Sequence, residues 1–115
     1  MRRGEIYWAE LSPRSGSEQS GRRPVVVVSR DALNQVPGWR SVNVVPLSTS
    51  ERQARRGPTT LLLRRGMGGL AQDSVVLCHQ ITTLDRGKLV SLVGALPSDE
   101  IAQLDQALKI ALELD

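Results

Sequence analysis

Few side chains in this chain of 115 residues carry reactive chemistry, and most of those stand in the wrong company for it. Cys78 and His79 are the only residues of their types, and they are neighbours. On a strand, adjacent side chains point to opposite faces, so the pair is poorly placed to share a proton. Cys78 closes the run Val75-Val76-Leu77-Cys78 and reads as a small core residue, with His79 a partly exposed polar side chain at its end. One cysteine and one histidine leave no zinc cluster or disulfide framework within a protomer. The carboxylates are scattered, without an Asp-x-Asp or Glu-x-x-His pattern, which argues against a metal-dependent hydrolase. Gly66-Met67-Gly68-Gly69 lacks the lysine and helix of a phosphate-cradling loop and reads as a turn.

What remains is the polar loop Gly16-Ser17-Glu18-Gln19-Ser20-Gly21-Arg22-Arg23-Pro24, which runs straight into four valines. Arg23 sits at the base of a strand, and the proline after it restricts Arg23 to an extended backbone. An arginine held there either solvates the strand entrance or presents a planar fork of donors to phosphate oxygens. The charge pattern points to the latter. Of the 15 basic residues, 13 are arginine. Residues 1–65 hold 12 basic and 5 acidic side chains, whereas residues 66–115 hold 3 basic and 7 acidic ones, so the front half is a cationic field that suits a polyanion.

Six strands and one helix are expected to position these groups. Gly4 to Leu11, Pro24 to Ser29, Val42 to Leu47, Thr59 to Leu63, Ser74 to Cys78 and Leu89 to Leu96 read as strands from their apolar, β-branched content and flanking turn residues. Asp31 to Gln35 makes a helical turn before Pro37-Gly38, and Ser48 to Pro58 reads as a basic loop. Ile101, Leu104, Leu108, Ala111 and Leu112 then recur on one face of a C-terminal helix, with Ser98 as its N-cap and Asp99 and Glu100 in its first turn. Hydrophobic residues make up 40% of the chain and charged ones 23%, as in a folded domain rather than a disordered chain. A small α+β domain spanning residues 1–115, with a tendency to form a barrel, is the expected fold. No apolar run reaches the roughly 20 residues of a membrane span, so the cytoplasm is the expected compartment.

The ordered motifs resemble the MazF/PemK family of toxin endoribonucleases. Gly4-Glu5-Ile6-Tyr7-Trp8 resembles the family's opening strand. Gly16-Ser17-Glu18-Gln19 with Arg22-Arg23-Pro24-Val25-Val26-Val27 resembles its signature loop and second strand, and Val45-Pro46-Leu47-Ser48-Thr49 its third. Asp73-Ser74-Val75-Val76-Leu77 with Gln80-Ile81-Thr82-Thr83-Leu84-Asp85 resembles its other signature.

The resemblance implies an SH3-like β-barrel of the CcdB/MazF kind with a C-terminal amphipathic helix. It further implies a homodimer, and sequence-specific cleavage of single-stranded RNA without metal or cofactor. In such enzymes the ribose 2′-hydroxyl attacks its neighbouring phosphate, leaving a cyclic phosphate and a free 5′-hydroxyl. The protein supplies charge stabilisation and proton transfer. On that template Arg23 matches the catalytic arginine and Ser48 falls where most members carry a threonine. Whether Ser48 or the adjacent Thr49 supplies the hydroxyl stays open. Glu18 matches a loop glutamate and is a candidate for proton transfer. Ser17, Gln19, Asp73 and Gln80 match positions that contact RNA, and His79 stands where many relatives are acidic. With three aromatics, Tyr7, Trp8 and Trp39, recognition is expected to rest on polar edges and arginine rather than stacking. An acidic antitoxin with a disordered tail is the implied protein partner. The alternatives are a non-catalytic inhibitor of DNA gyrase, as in the CcdB branch, and a general RNA-binding barrel.

Overall fold

The four valines at 25–28 are all buried because successive side chains of their strand enter two different cores. Val26 and Val28 join Ile6, Val45, Leu47, Leu63, Val76 and Leu104, whereas Val25 and Val27 join Ala9, Leu11, Val42, Val44 and Leu84. A strand buried on both faces reads as a continuous apolar run.

The computed structural model describes residues 1–11, 16, 21–50 and 57–114. Its strands are β1 (Glu5–Glu10), β2 (Arg22–Val27), β3 (Ser41–Ser48), β4 (Thr60–Leu63), β5 (Ser74–Leu77), β6 (Thr82–Asp85) and β7 (Leu89–Ala95). Helix α1 (Asp31–Asn34) lies between β2 and β3, and α2 (Ser98–Leu112) follows β7. All pairings are antiparallel, in the order β4-β5-β3-β2-β1-β7, with β6 added alongside β3. The arrangement is the expected α+β fold. Among the described residues it approximates a barrel without closing, because the hydrogen-bonded path ends at β4 and at β7.

Three sequence expectations need correction. β6 is a seventh strand among the described residues: of its four residues only Leu84 is buried, too few for an alternating pattern, and pairing with β3 supplies the rest. The N-cap of α2 is Pro97 rather than Ser98, and no side chain caps that end. The inward face of α2 carries Leu104, Ala107 and Leu108, whereas Leu112 is 46% exposed.

The chain start is anchored by Arg3. Its backbone N–H donates to Asp31 Oδ1 at 2.6 Å, its Nε to the Val28 carbonyl at 2.9 Å, and its guanidinium lies 2.8 Å from Asp105 on α2. The Arg3 N–H, and after it the Asn34 amide, hold the Asp31 carboxyl below its usual value. A carboxylate with a lowered folded-state pKa contributes stability above its unfolded pKa and loses it as pH falls through the folded value. Thermal melts taken from neutral pH down to about pH 3 should therefore show Asp31→Asn losing less stability on acidification than the parent. Parallel curves would remove Asp31 from the acid response.

Candidate active site

Arg23 is the second residue of β2 and lies opposite Ala9 of β1. Between β2 and β3, Val25 pairs with Pro46 and Val26 with Val45. Carrying that antiparallel register two residues outward sets Arg23 across from Ser48, the last residue of β3. Two groups 25 positions apart in sequence thus line one cleft. Ser48 also pairs with Val75 of β5 on its other side, is only 5% exposed, and accepts the backbone N–H of Ser50 at 3.1 Å through its Oγ. A hydroxyl that accepts one bond keeps its own proton to donate. Thr49, just beyond the strand, is exposed.

These residues line a cleft of about 330 Å³. Trp8, Pro24, Leu47, Leu70 and Val93 supply apolar walls, and Arg22 lies beside Arg23. No carboxylate is among the described residues lining it. One wall is the turn from Gly66 to Gln72. It enters through Gly66 in the left-handed region (φ 94°), makes a 3-10 turn over Met67–Gly69 and packs its glycines against β7. A cationic cleft with hydroxyl donors is suited to an anion whose charge grows during reaction.

The sequence-derived candidates fall into four groups. Arg23, Ser48 and Thr49 come together in the cleft. Asp73 lies outside it, in an adjoining groove that also touches Thr49. Its carboxylate accepts the Arg65 backbone N–H at 2.7 Å and sits 3.6 Å from the Arg64 guanidinium, so it ties its own loop together. Gln80, half-buried, belongs to a 3-10 turn (Cys78–Gln80) that follows the far end of β5, six residues past Ser74 of the cleft, and does not line it. Ser17, Glu18 and Gln19 lie outside the described residues.

Cys78 and His79 share that 3-10 turn rather than a strand. Burial pushes the Cys78 thiol up to about 11, so it stays protonated at neutral pH and is no nucleophile; His79 is exposed. Sequence reasoning missed Trp8, placed in the strand for its apolar character, and the contribution of the 69–72 turn to the cleft. The first has no sequence signal beyond its residue type. The adjacency of Gln72 to Asp73 was the available signal for the second.

A family model for the PemK-like, MazF-like toxins of type II toxin-antitoxin systems matches residues 2–112. The endoribonuclease EndoA of Bacillus subtilis is 35% identical over 114 residues, covering 99% of this chain and 96% of that protein. The crystal structure of MazF from Deinococcus radiodurans superposes with a TM-score of 0.80 at 28% identity, covering 99% of this chain and 97% of that one. A MazE-MazF structure from the same organism gives 0.75 at 28% identity, covering 100% and 97%. With the family model matching nearly the whole length and the fold shared with the MazF structures, the chain belongs to the PemK-like, MazF-like toxins of type II toxin-antitoxin systems.

Proposed function

We propose that this toxin is a sequence-specific endoribonuclease that cleaves single-stranded RNA without a metal, in the cytoplasm, and is neutralised by a cognate antitoxin. The observation that carries the reading is the meeting of Arg23 and Ser48 in a cleft whose described lining holds two arginines and no carboxylate. The likeness to EndoA, an endoribonuclease by name, supports the reaction class.

The RNA supplies its own nucleophile. The ribose 2′-oxygen forms a bond to the adjacent phosphorus, the bond from phosphorus to the 5′-oxygen breaks, and the products are a 2′,3′-cyclic phosphate and a 5′-hydroxyl. Arg23 stabilises the extra negative charge on the phosphorane through its charged N–H donors. The Ser48 hydroxyl donates a hydrogen bond to a nonbridging oxygen, and Glu18 is the candidate for proton transfer, taking the 2′-proton and returning it, directly or through water, to the departing 5′-oxygen. Ser17, Gln19 and Gln80 are proposed as RNA contacts on the strength of the family resemblance.

Purified protein incubated with single-stranded RNA in EDTA should cut at a short recurring sequence and leave cyclic phosphate ends. Loss of cleavage on chelation would sink the metal-free mechanism. Ser48→Ala should lower kcat roughly 10- to 100-fold, the worth of one hydrogen bond to a charged group, with recovery in Ser48→Thr. A larger loss in Thr49→Val than in Ser48→Ala would move the hydroxyl role to Thr49.

For partners, the MazE-MazF structure of the Deinococcus relative supports an antitoxin complex. An acidic segment lying across the Arg22 and Arg23 side chains would compete with RNA directly. A homodimer is supported by Val90 and Leu92, which are 53% and 55% exposed on the terminal strand β7. Light scattering that returned a 12.6 kDa species at micromolar concentration would count against the dimer.

A further inference from the structure

A second groove, of about 560 Å³, opens beside the Arg23 cleft, and Thr49, Ala71 and Gln72 line both. Arg65 and Asp73 border it, with Leu62 and Val75 among its apolar lining. Two grooves that share lining residues lie side by side, close enough for one extended polymer to occupy both. Ala71, at the junction, projects only a methyl group.

The charges in the second groove favour an anionic chain. Asp73 is the one acid among the described lining residues, and its carboxylate is already engaged by the Arg65 backbone N–H at 2.7 Å and by the Arg64 guanidinium at 3.6 Å. That arrangement leaves the Arg65 guanidinium outside any ion pair among the described residues. Gln72 is positioned differently. Ser74 Oγ donates to its backbone carbonyl at 3.0 Å, which fixes the main chain, while its side-chain amide is exposed and has no hydrogen-bond partner among the described residues. A fixed backbone carrying an unengaged amide at the junction of two grooves is well placed to read the edge of a base. The amide presents one donor beside one acceptor and can make two bonds to a base edge of the complementary pattern.

We infer that RNA runs from the Arg23 cleft into this second groove, and that Gln72 is a specificity-determining residue reading a base next to the scissile phosphate, with Arg65 on the phosphate beyond. The inference rests on the endoribonuclease reading and deepens it. It assigns sequence selection to a residue that takes no part in the bond-breaking step.

The test is to sequence the 5′ ends of RNA fragments cut by the parent, Gln72→Ala and Gln72→Glu, with melting temperatures recorded for each. Gln72→Ala should lose roughly tenfold of its discrimination at one motif position within about two nucleotides of the cut and keep the rest of the motif. Gln72→Glu replaces a donor–acceptor pair by two acceptors. It should move that position toward guanine, whose N1–H and exocyclic amine are adjacent donors. Arg65→Gln should weaken binding evenly across sequences and reduce the slope of log affinity against log salt by about 0.7, as for one phosphate contact on a single strand. An unchanged motif in both Gln72 variants overturns the inference. So does a uniform fall in rate at every site, which is what a structural role would give, or an effect confined to antitoxin affinity. If the parent itself cuts no RNA, the endoribonuclease reading fails first and takes this one with it.

Discussion

Arg23→Ala should abolish most RNA cleavage while leaving a folded protein. Removing one preorganised donor to a developing oxyanion costs roughly 10²- to 10³-fold in kcat, and a charged fork facing a phosphorane belongs at the upper end of that range. The effect should fall on kcat more than on KM, because the interaction strengthens as charge builds in the transition state. Arg22, beside it in the cleft, keeps part of the ground-state attraction for RNA. Arg23→Lys is the informative companion: it keeps the charge and loses the planar pair of donors, so its rate should lie between parent and alanine variant. Single-turnover cleavage with saturating protein separates these effects from binding. Arg23 is half-buried and already engaged within the fold, so the melting temperature of each variant belongs beside its rate. Full-rate cleavage by a folded Arg23→Ala protein would move the catalytic assignment elsewhere.

The second large effect is expected at Gly94 on β7. A Cβ built there would stand 2.2 Å from the Gly68 carbonyl oxygen and 2.7 Å from its carbon. Both are backbone atoms, so no side chain can rotate away to make room. Gly69 faces the same constraint in reverse, since its Cβ would come 2.5 Å from the Val93 carbonyl oxygen. β7 and the 66–72 turn therefore approach as bare backbones, and that contact presses the turn into place as a wall of the cleft. Gly94→Ala should destabilise the fold by about 3 kcal/mol or more. For a domain of this size that is a drop in Tm on the order of 10–20 °C. Ser91→Ala, exposed on the same strand, should change Tm by no more than a few degrees. Below its lowered Tm, Gly94→Ala should also cleave more slowly, because displacing the turn moves Leu70 and Gln72 away from Ser48. A melting curve superposable on the parent would show that strand and turn are not in contact in solution.

The amino-acid order alone was enough to recognise most elements, for reasons visible in particular residues. The valine run announced a buried strand, and the structure splits its side chains between two cores. The 3.6-residue recurrence from Ile101 announced α2. Its face was only partly legible, because Ala107 is buried while Leu112 is exposed, and which residues turn inward depends on where the sheet lies. β6 escaped notice because a four-residue strand with one buried side chain carries almost no periodic signal; its existence follows from the edge that β3 offers.

Site chemistry divides along the same line. Residue type and local context made Arg23, held extended by Pro24 at the mouth of a strand, a candidate, and the motif resemblance supplied its expected role together with that of Ser48. Their meeting is a long-range fact, produced by the pairing of Val25 with Pro46 and its continuation outward. The same kind of fact separates Gln80 from the cleft by carrying it past the far end of β5, engages the Asp73 carboxylate with Arg64 and Arg65, and brings Trp8 and Gln72 to the walls. Local sequence encodes what a short segment prefers, because propensity and periodicity act between near neighbours. Which distant side chains share a cavity is set by strand register and by the close approach of backbones at Gly68 and Gly94, and neither leaves a periodic mark in the chain.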